Sequence, residues 1–79
     1  MTNNRVAQRQ RVFKAGTIEF GGAAIDCTVR NLSATGAALD VASPVGIPSK
    51  FVLIVKGDAI QRQSRVVWRK EQRIGVAFE

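Results

Sequence analysis

Two arginines four residues apart, Arg5 and Arg9, stand ahead of a polar hexapeptide, Asn31-Leu32-Ser33-Ala34-Thr35-Gly36, whose first residue follows Arg9 by 22 positions. Guanidinium is a planar fork of donors that meets phosphate oxygens, or the O6 and N7 of guanine, in a two-pronged geometry that lysine cannot reproduce. Asn31 and Ser33 add short side chains that both donate and accept hydrogen bonds. A helical turn or a bend would aim Arg5 and Arg9 at one compact anionic ligand. Each feature also has an ordinary explanation. A basic run at a chain end is usually a solvated tail, and Asn, Ser and Gly together are turn chemistry, with Gly36 able to take positive φ without steric cost. Asn31-Leu32-Ser33 fits the N-glycosylation sequon as well, but no secretory signal accompanies it.

The balance of charge favours an anionic partner. Twelve Lys and Arg against six Asp and Glu give a net charge of +6, which suits nucleic acid, a nucleotide or a membrane surface without choosing among them. Catalysis finds little support. The chain has no histidine, which removes imidazole acid-base chemistry and the common His-ligated metal sites. The acids Glu19, Asp26, Asp40, Asp58, Glu71 and Glu79 are scattered and form no hydrolytic motif. Cys27 is the single cysteine, so no intramolecular disulfide forms. Its place on an alternating apolar face marks it as a small buried hydrophobe. The residues therefore point to a binding domain, not an enzyme, with no cofactor and no metal. The N-terminal residues lack an apolar signal core and the apolar runs are too short to span a bilayer, so the cytoplasm is the expected compartment.

The elements that must position these residues are strands. Residues 1–11, with Arg5, Arg9 and Arg11, show no strand or helix period and read as a flexible basic arm. Residues 12–79 read as one small domain, of a size that buries about 60% of its unfolded surface. Val12 to Phe20 is a first strand with Phe13 and Ile18 as core contacts, and Gly21-Gly22 supplies a tight hairpin. Ala24 to Asn31 follows, in which Ile25, Cys27 and Val29 alternate with Asp26, Thr28 and Arg30; Gly36 or Ala37 to Val41 is the third strand. Pro44, Gly46 and Pro48 mark residues 42–49 as a surface loop. Phe51 to Lys56, Gln61 to Lys70 and Arg73 to Glu79 complete six strands, with turns at Gly57-Asp58 and Glu71-Gln72. Alternation sets Trp68 with Val66 and Lys70, opposite Val67 and Arg69. Six short strands with no helical period predict an all-β chain, a small antiparallel barrel whose closure removes open edges.

On these residues the chain resembles the PilZ domains. Arg5-Val6-Ala7-Gln8-Arg9 and Asn31-Leu32-Ser33-Ala34-Thr35-Gly36 match the family's RxxxR and (D/N)xSxxG in order and spacing. Arg11 to Gly16, Val66-Val67-Trp68-Arg69 and Ile74 to Phe78 extend the likeness over nearly the whole chain. The resemblance implies a six-stranded barrel that binds cyclic di-GMP and passes the signal to a protein partner. Arg5 and Arg9 would wrap over the ligand, while Asn31, Ser33 and Gly36 would receive a guanine base. Trp68 matches a tryptophan that packs near the ligand in some members. The chain departs from the pattern at Asn4, where many members have a further arginine. Asn31 stands where others have an aspartate, and the C-terminal helix of some members is not expected.

Magnitudes require both motifs. Ordering Arg5 to Arg9 costs roughly 1–2 kcal/mol per residue, close to the total from a few charge-assisted hydrogen bonds at about 1.5–3 kcal/mol each. The surplus must come from base contacts, with stacking contributing about 1–3 kcal/mol per base. Two other classes are weighed against this one: a barrel binding single-stranded nucleic acid, and an adaptor binding protein alone. The first is disfavoured because Phe13, Phe20, Phe51 and Phe78 fall in strands where the core needs them, leaving Trp68 as the remaining aromatic.

Overall fold

The structure, a computed structural model of the 79-residue chain, describes residues 10–79. Six strands form the body: β1 (Gln10–Phe20), β2 (Ala23–Leu32), β3 (Gly36–Asp40), β4 (Lys50–Val55), β5 (Ile60–Lys70) and β6 (Arg73–Phe78), with one 3-10 turn at Lys56–Asp58. They close into an antiparallel barrel in the order β1-β2-β3-β6-β5-β4. The β1–β2 hairpin turns at Gly21 and Gly22, whose φ values of 53° and 83° are both in the left-handed region that a two-residue hairpin loop demands. Closure rests on the short β1–β4 seam, where Thr17, Ile18 and Glu19 pair with Ile54, Leu53 and Val52.

Alternation fills the barrel. Ile18, Val29, Leu39, Leu53, Val55 and Ile74 are buried at the centre, joined by Cys27, Val41, Ile47, Phe51 and Val76. Ser64 is the one buried polar residue among those described, and its hydroxyl donates to the Arg62 carbonyl at 3.2 Å. At one end the loop over residues 42–49 is held by Arg69, which donates to the Pro44 and Ile47 carbonyls at 3.2 and 2.9 Å. Gln72 adds a bond to the Ala42 carbonyl at 2.9 Å.

Three irregularities in register break the period of two. One lies in β1 between Arg11 and Lys14, one in β2 between Val29 and Asn31, and one in β5 between Val66 and Trp68. A β-bulge places two successive residues against one on the partner and so resets which side chains face outward. Arg30 and Asn31 both leave the core side after Val29, and Val67 and Trp68 do the same after Val66. Trp68 is therefore not set with the core-packed Val66, as strict alternation predicts, but stands on the outer face at 41% exposure. Phe13 is a second correction. It is 78% exposed, because the inward side of β1 runs through Gly16 and Ile18, and its ring lies under the Arg30 guanidinium at 5.3 Å. Of the other phenylalanines, Phe51 is buried while Phe20 and Phe78 are half-buried. Gln10 and Arg11 belong to β1 and so to the barrel.

Cys27 behaves as the small hydrophobe its position predicts, and burial, followed by the nearby Asp26 charge, pushes its thiol up from 9.0 to about 11. Between those values the unfolded chain has lost this proton while the folded chain keeps it, so stability falls as pH rises. Thermal unfolding followed from pH 8 to 11 is expected to show a decline for the native chain that is smaller in Cys27→Ala. Parallel curves for the two would contradict this assignment.

Candidate functional site

The outer face of β3 and β6 is almost without side chains. Gly36 pairs with Ala77 and Ala38 with Gly75, and directly paired residues share a face of the sheet. These four small residues form a two-by-two floor on the barrel surface, on the side of those strands opposite Leu39, Ile74 and Val76. The floor belongs to a concavity of about 280 Å³ that also includes Ser33, Thr35, Val67 and Trp68. Gly36 is required there for a reason other than turn geometry. Its φ is not among the positive values; instead, an added Cβ would collide with the Val76 carbonyl oxygen. The two strands approach too closely for any side chain at that point.

The turn over residues 33–35 closes one end of the floor. Its frame is the Ser33 N–H donating to the Gly36 carbonyl at 2.9 Å. The Ser33 hydroxyl oxygen accepts from the N–H groups of Thr35 and Gly36, both at 3.2 Å, and its proton reaches the Gly36 carbonyl at 3.3 Å. Ser33 thus holds the turn, as the ordinary reading of its type predicts, and it does so while lining the concavity. Its hydroxyl also lies 3.4 Å from Thr35 Oγ1, where either oxygen could be the donor.

One row of paired residues crosses four strands: Asn31 with Ala38, Ala38 with Gly75, and Gly75 with Trp68. Asn31 therefore stands at one side of the floor and Trp68 at the other. Among the described residues the Asn31 amide makes no side-chain hydrogen bond. The indole of Trp68 lies over Gly75, since a Cβ on that glycine would overlap ring atoms of the tryptophan. At the end away from the turn, Asp40 accepts from Arg73 and, at 3.2 Å, from Arg30. The Arg73 hydrogen bond, and after it the charges of Arg73 and Arg30, hold the Asp40 carboxyl below the usual range despite an opposing effect of burial. The same contacts fix both arginines at the rim.

The barrel thus brings Asn31, Ser33, Gly36 and Trp68 around one floor. Arg5 and Arg9 lie outside the described residues. The chain enters the barrel beside this floor, because Arg11 pairs with Asn31 and Gln10 with Leu32. Sequence reasoning missed Ala38, Gly75 and Ala77, whose small size gives no signal until the register is known. Larger hollows exist among the described residues. One of about 720 Å³ runs between β1 and the end of β4 at Phe13, Lys14 and Gly57 and contains none of the motif residues. Another, about 570 Å³, is the barrel mouth at Leu32, Ile60 and Phe78, and it meets the floor only through Ser33. A third, about 600 Å³, lies beyond Trp68 at Asp40, Lys70 and Arg73, and a fourth, about 310 Å³, lies at Phe20, Phe51 and Glu79.

A closed six-stranded antiparallel barrel with a polar turn beside a side-chain-poor outer face is the class of domain these features define. The description PilZ domain matches residues 3–79, and the chain belongs to that family of cyclic di-GMP-binding domains. A search of curated proteins finds no match. Among the described residues no helix is long and apolar enough to cross a membrane.

Trp68 is the only tryptophan, so its fluorescence reports on the floor without ambiguity. Gly75→Ala is expected to displace the indole toward water and shift its emission to the red. Gly57→Ala, where an added Cβ meets nothing within 4 Å, is expected to leave emission unchanged. Identical spectra for Gly75→Ala and the native chain would mean that the indole does not rest on that glycine.

Proposed function

We propose that this chain is a receptor domain for cyclic di-GMP, and that the ligand lies over Gly36, Ala38 and Ala77, beside the indole that covers Gly75, with Arg5 and Arg9 closing over it. The observation that carries the proposal is the row from Asn31 to Trp68, which sets an amide and an indole on either side of small residues that leave room for a planar base. The Asn31 amide matches the donor and acceptor edge of guanine. Trp68 offers an aromatic face at the far side for stacking, and the Ser33 proton can turn from the Gly36 carbonyl to a ligand oxygen.

Chain connectivity supports a role for the two arginines. A residue advances at most about 3.3–3.6 Å along the chain, so the Cα of Arg9 is within about 7 Å of the Cα of Arg11, which pairs with Asn31. Arg5 is four residues further out and can reach across the floor. Ordering of residues 1–9 over the ligand would create a new surface for a protein partner, which is how binding would be passed on.

Calorimetric titration with cyclic di-GMP, with GTP and cyclic GMP as controls, tests the proposal. The cyclic dinucleotide alone is expected to bind. Arg5→Ala and Arg9→Ala are each expected to weaken binding about tenfold or more, the loss of one charge-assisted contact. Ser33→Ala is expected to weaken it moderately. Equal affinity for all three nucleotides, or both arginine variants within twofold of the native chain, would contradict the proposal.

A further inference from the structure

Cyclic di-GMP carries two phosphate charges, and the chain that carries Arg5 and Arg9 joins the barrel on the Asn31 side of the floor. The opposite side of the floor has its own cation. Arg65 on β5 pairs with Ala77, and Ala77 with Gly36, so the Cα of Arg65 lies two strand spacings, about 9.5 Å, from that of Gly36. Only the Ala77 methyl stands between them on the outer face. Resting on the receptor reading above, we infer that Arg65 is the second cationic wall of the site: its guanidinium takes a ligand phosphate over Ala77 in exchange for its present partner, the Glu79 carboxylate.

The present pairing is suited to exchange. Glu79 Oε2 is 3.6 Å from Arg65 Nε and 3.7 Å from Lys50 Nζ, both longer than a hydrogen bond of good geometry. The Arg65 side chain is 50% exposed, and ion pairs this open to water contribute little. A phosphate offers the guanidinium two parallel charge-assisted bonds instead. Glu79 would not be left alone after the exchange, because Lys50 remains beside it. Its backbone is held in place by its N–H, which donates to the Gln63 carbonyl at 2.8 Å.

Arg30 and the other arginines of β5 and β6 are committed elsewhere. Arg30 and Arg73 are tied to Asp40, and Arg69 donates to the carbonyls of residues 44 and 47. Arg62 lies over the Phe78 ring at 4.9 Å in the barrel mouth. On the β5 side of the floor, Arg65 is the described arginine in a position to turn inward.

Titration of cyclic di-GMP into the full chain and three exposed variants decides the point. Arg65→Gln is expected to weaken binding about tenfold. Glu79→Gln removes the competing carboxylate and is expected to strengthen binding about threefold, consistent with a weak exposed pair. Asp26→Asn makes the same change in net charge on β2, beside the separate cleft, and is expected to leave affinity unchanged. Native affinity with Arg65→Gln within twofold of it would overturn this inference alone. So would an equal gain from Glu79→Gln and Asp26→Asn, since the effect would then be net charge. Absence of binding by the native chain would overturn the receptor reading and this inference with it.

Discussion

The Val76 carbonyl occupies the space that a side chain at Gly36 would need, and the rest of the site follows from that close approach. With β3 and β6 drawn together there, Gly36 can carry no side chain, and its neighbours on the outer face, Ala38, Gly75 and Ala77, are small, so larger groups stand only at the edges. The Ser33 turn is fixed to the same point, because its hydroxyl oxygen accepts from the Gly36 N–H. One strand further on, the absence of a Cβ at Gly75 lets the Trp68 indole lie against the sheet. A shallow recess on the outside of a barrel is made here by leaving side chains out rather than by opening the core.

The two faces of these strands are consequently independent. Leu39, Ile74 and Val76 face inward and belong to the hydrophobic cluster, while Ala38, Gly75 and Ala77 alternate with them outward. A ligand on the floor would touch no core side chain, and the barrel could remain closed throughout. Any response to binding would then arise at the edges of the floor, in the segment ahead of Gln10 and in exposed side chains such as Trp68 and Arg65.

Much of the architecture was legible in the residues. The six strands, the Gly21-Gly22 hairpin, the long loop with Pro44 and Pro48, and the burial of Ile18 and Cys27 follow from alternation and turn chemistry. What alternation could not locate were the bulges at Arg30 and Val67, which arise from how neighbouring strands pair and leave no local mark. They turn Asn31 and Trp68 outward, and without them both would share the inward side of Val29 and Val66. Phe13 was misplaced for a related reason: its hydrophobicity suggested the core, while its position relative to Ile18 put it on the opposite face. Gly36 was singled out correctly, but for backbone freedom instead of the interstrand contact that requires it. The partnership of Arg69 with the carbonyls of residues 44 and 47 joins segments too far apart in sequence to be read from either.

The account depends on the bare floor being where the dinucleotide sits. Amide spectra of the isotopically labelled chain with cyclic di-GMP in excess test this most directly. The account predicts that the largest changes fall on Asn31, Ser33, Gly36, Ala38, Gly75, Ala77 and the Trp68 indole N–H, with Gly16 and Gly57 unmoved. Changes centred on the cleft between Phe13 and Gly57, or no changes at all, would contradict it.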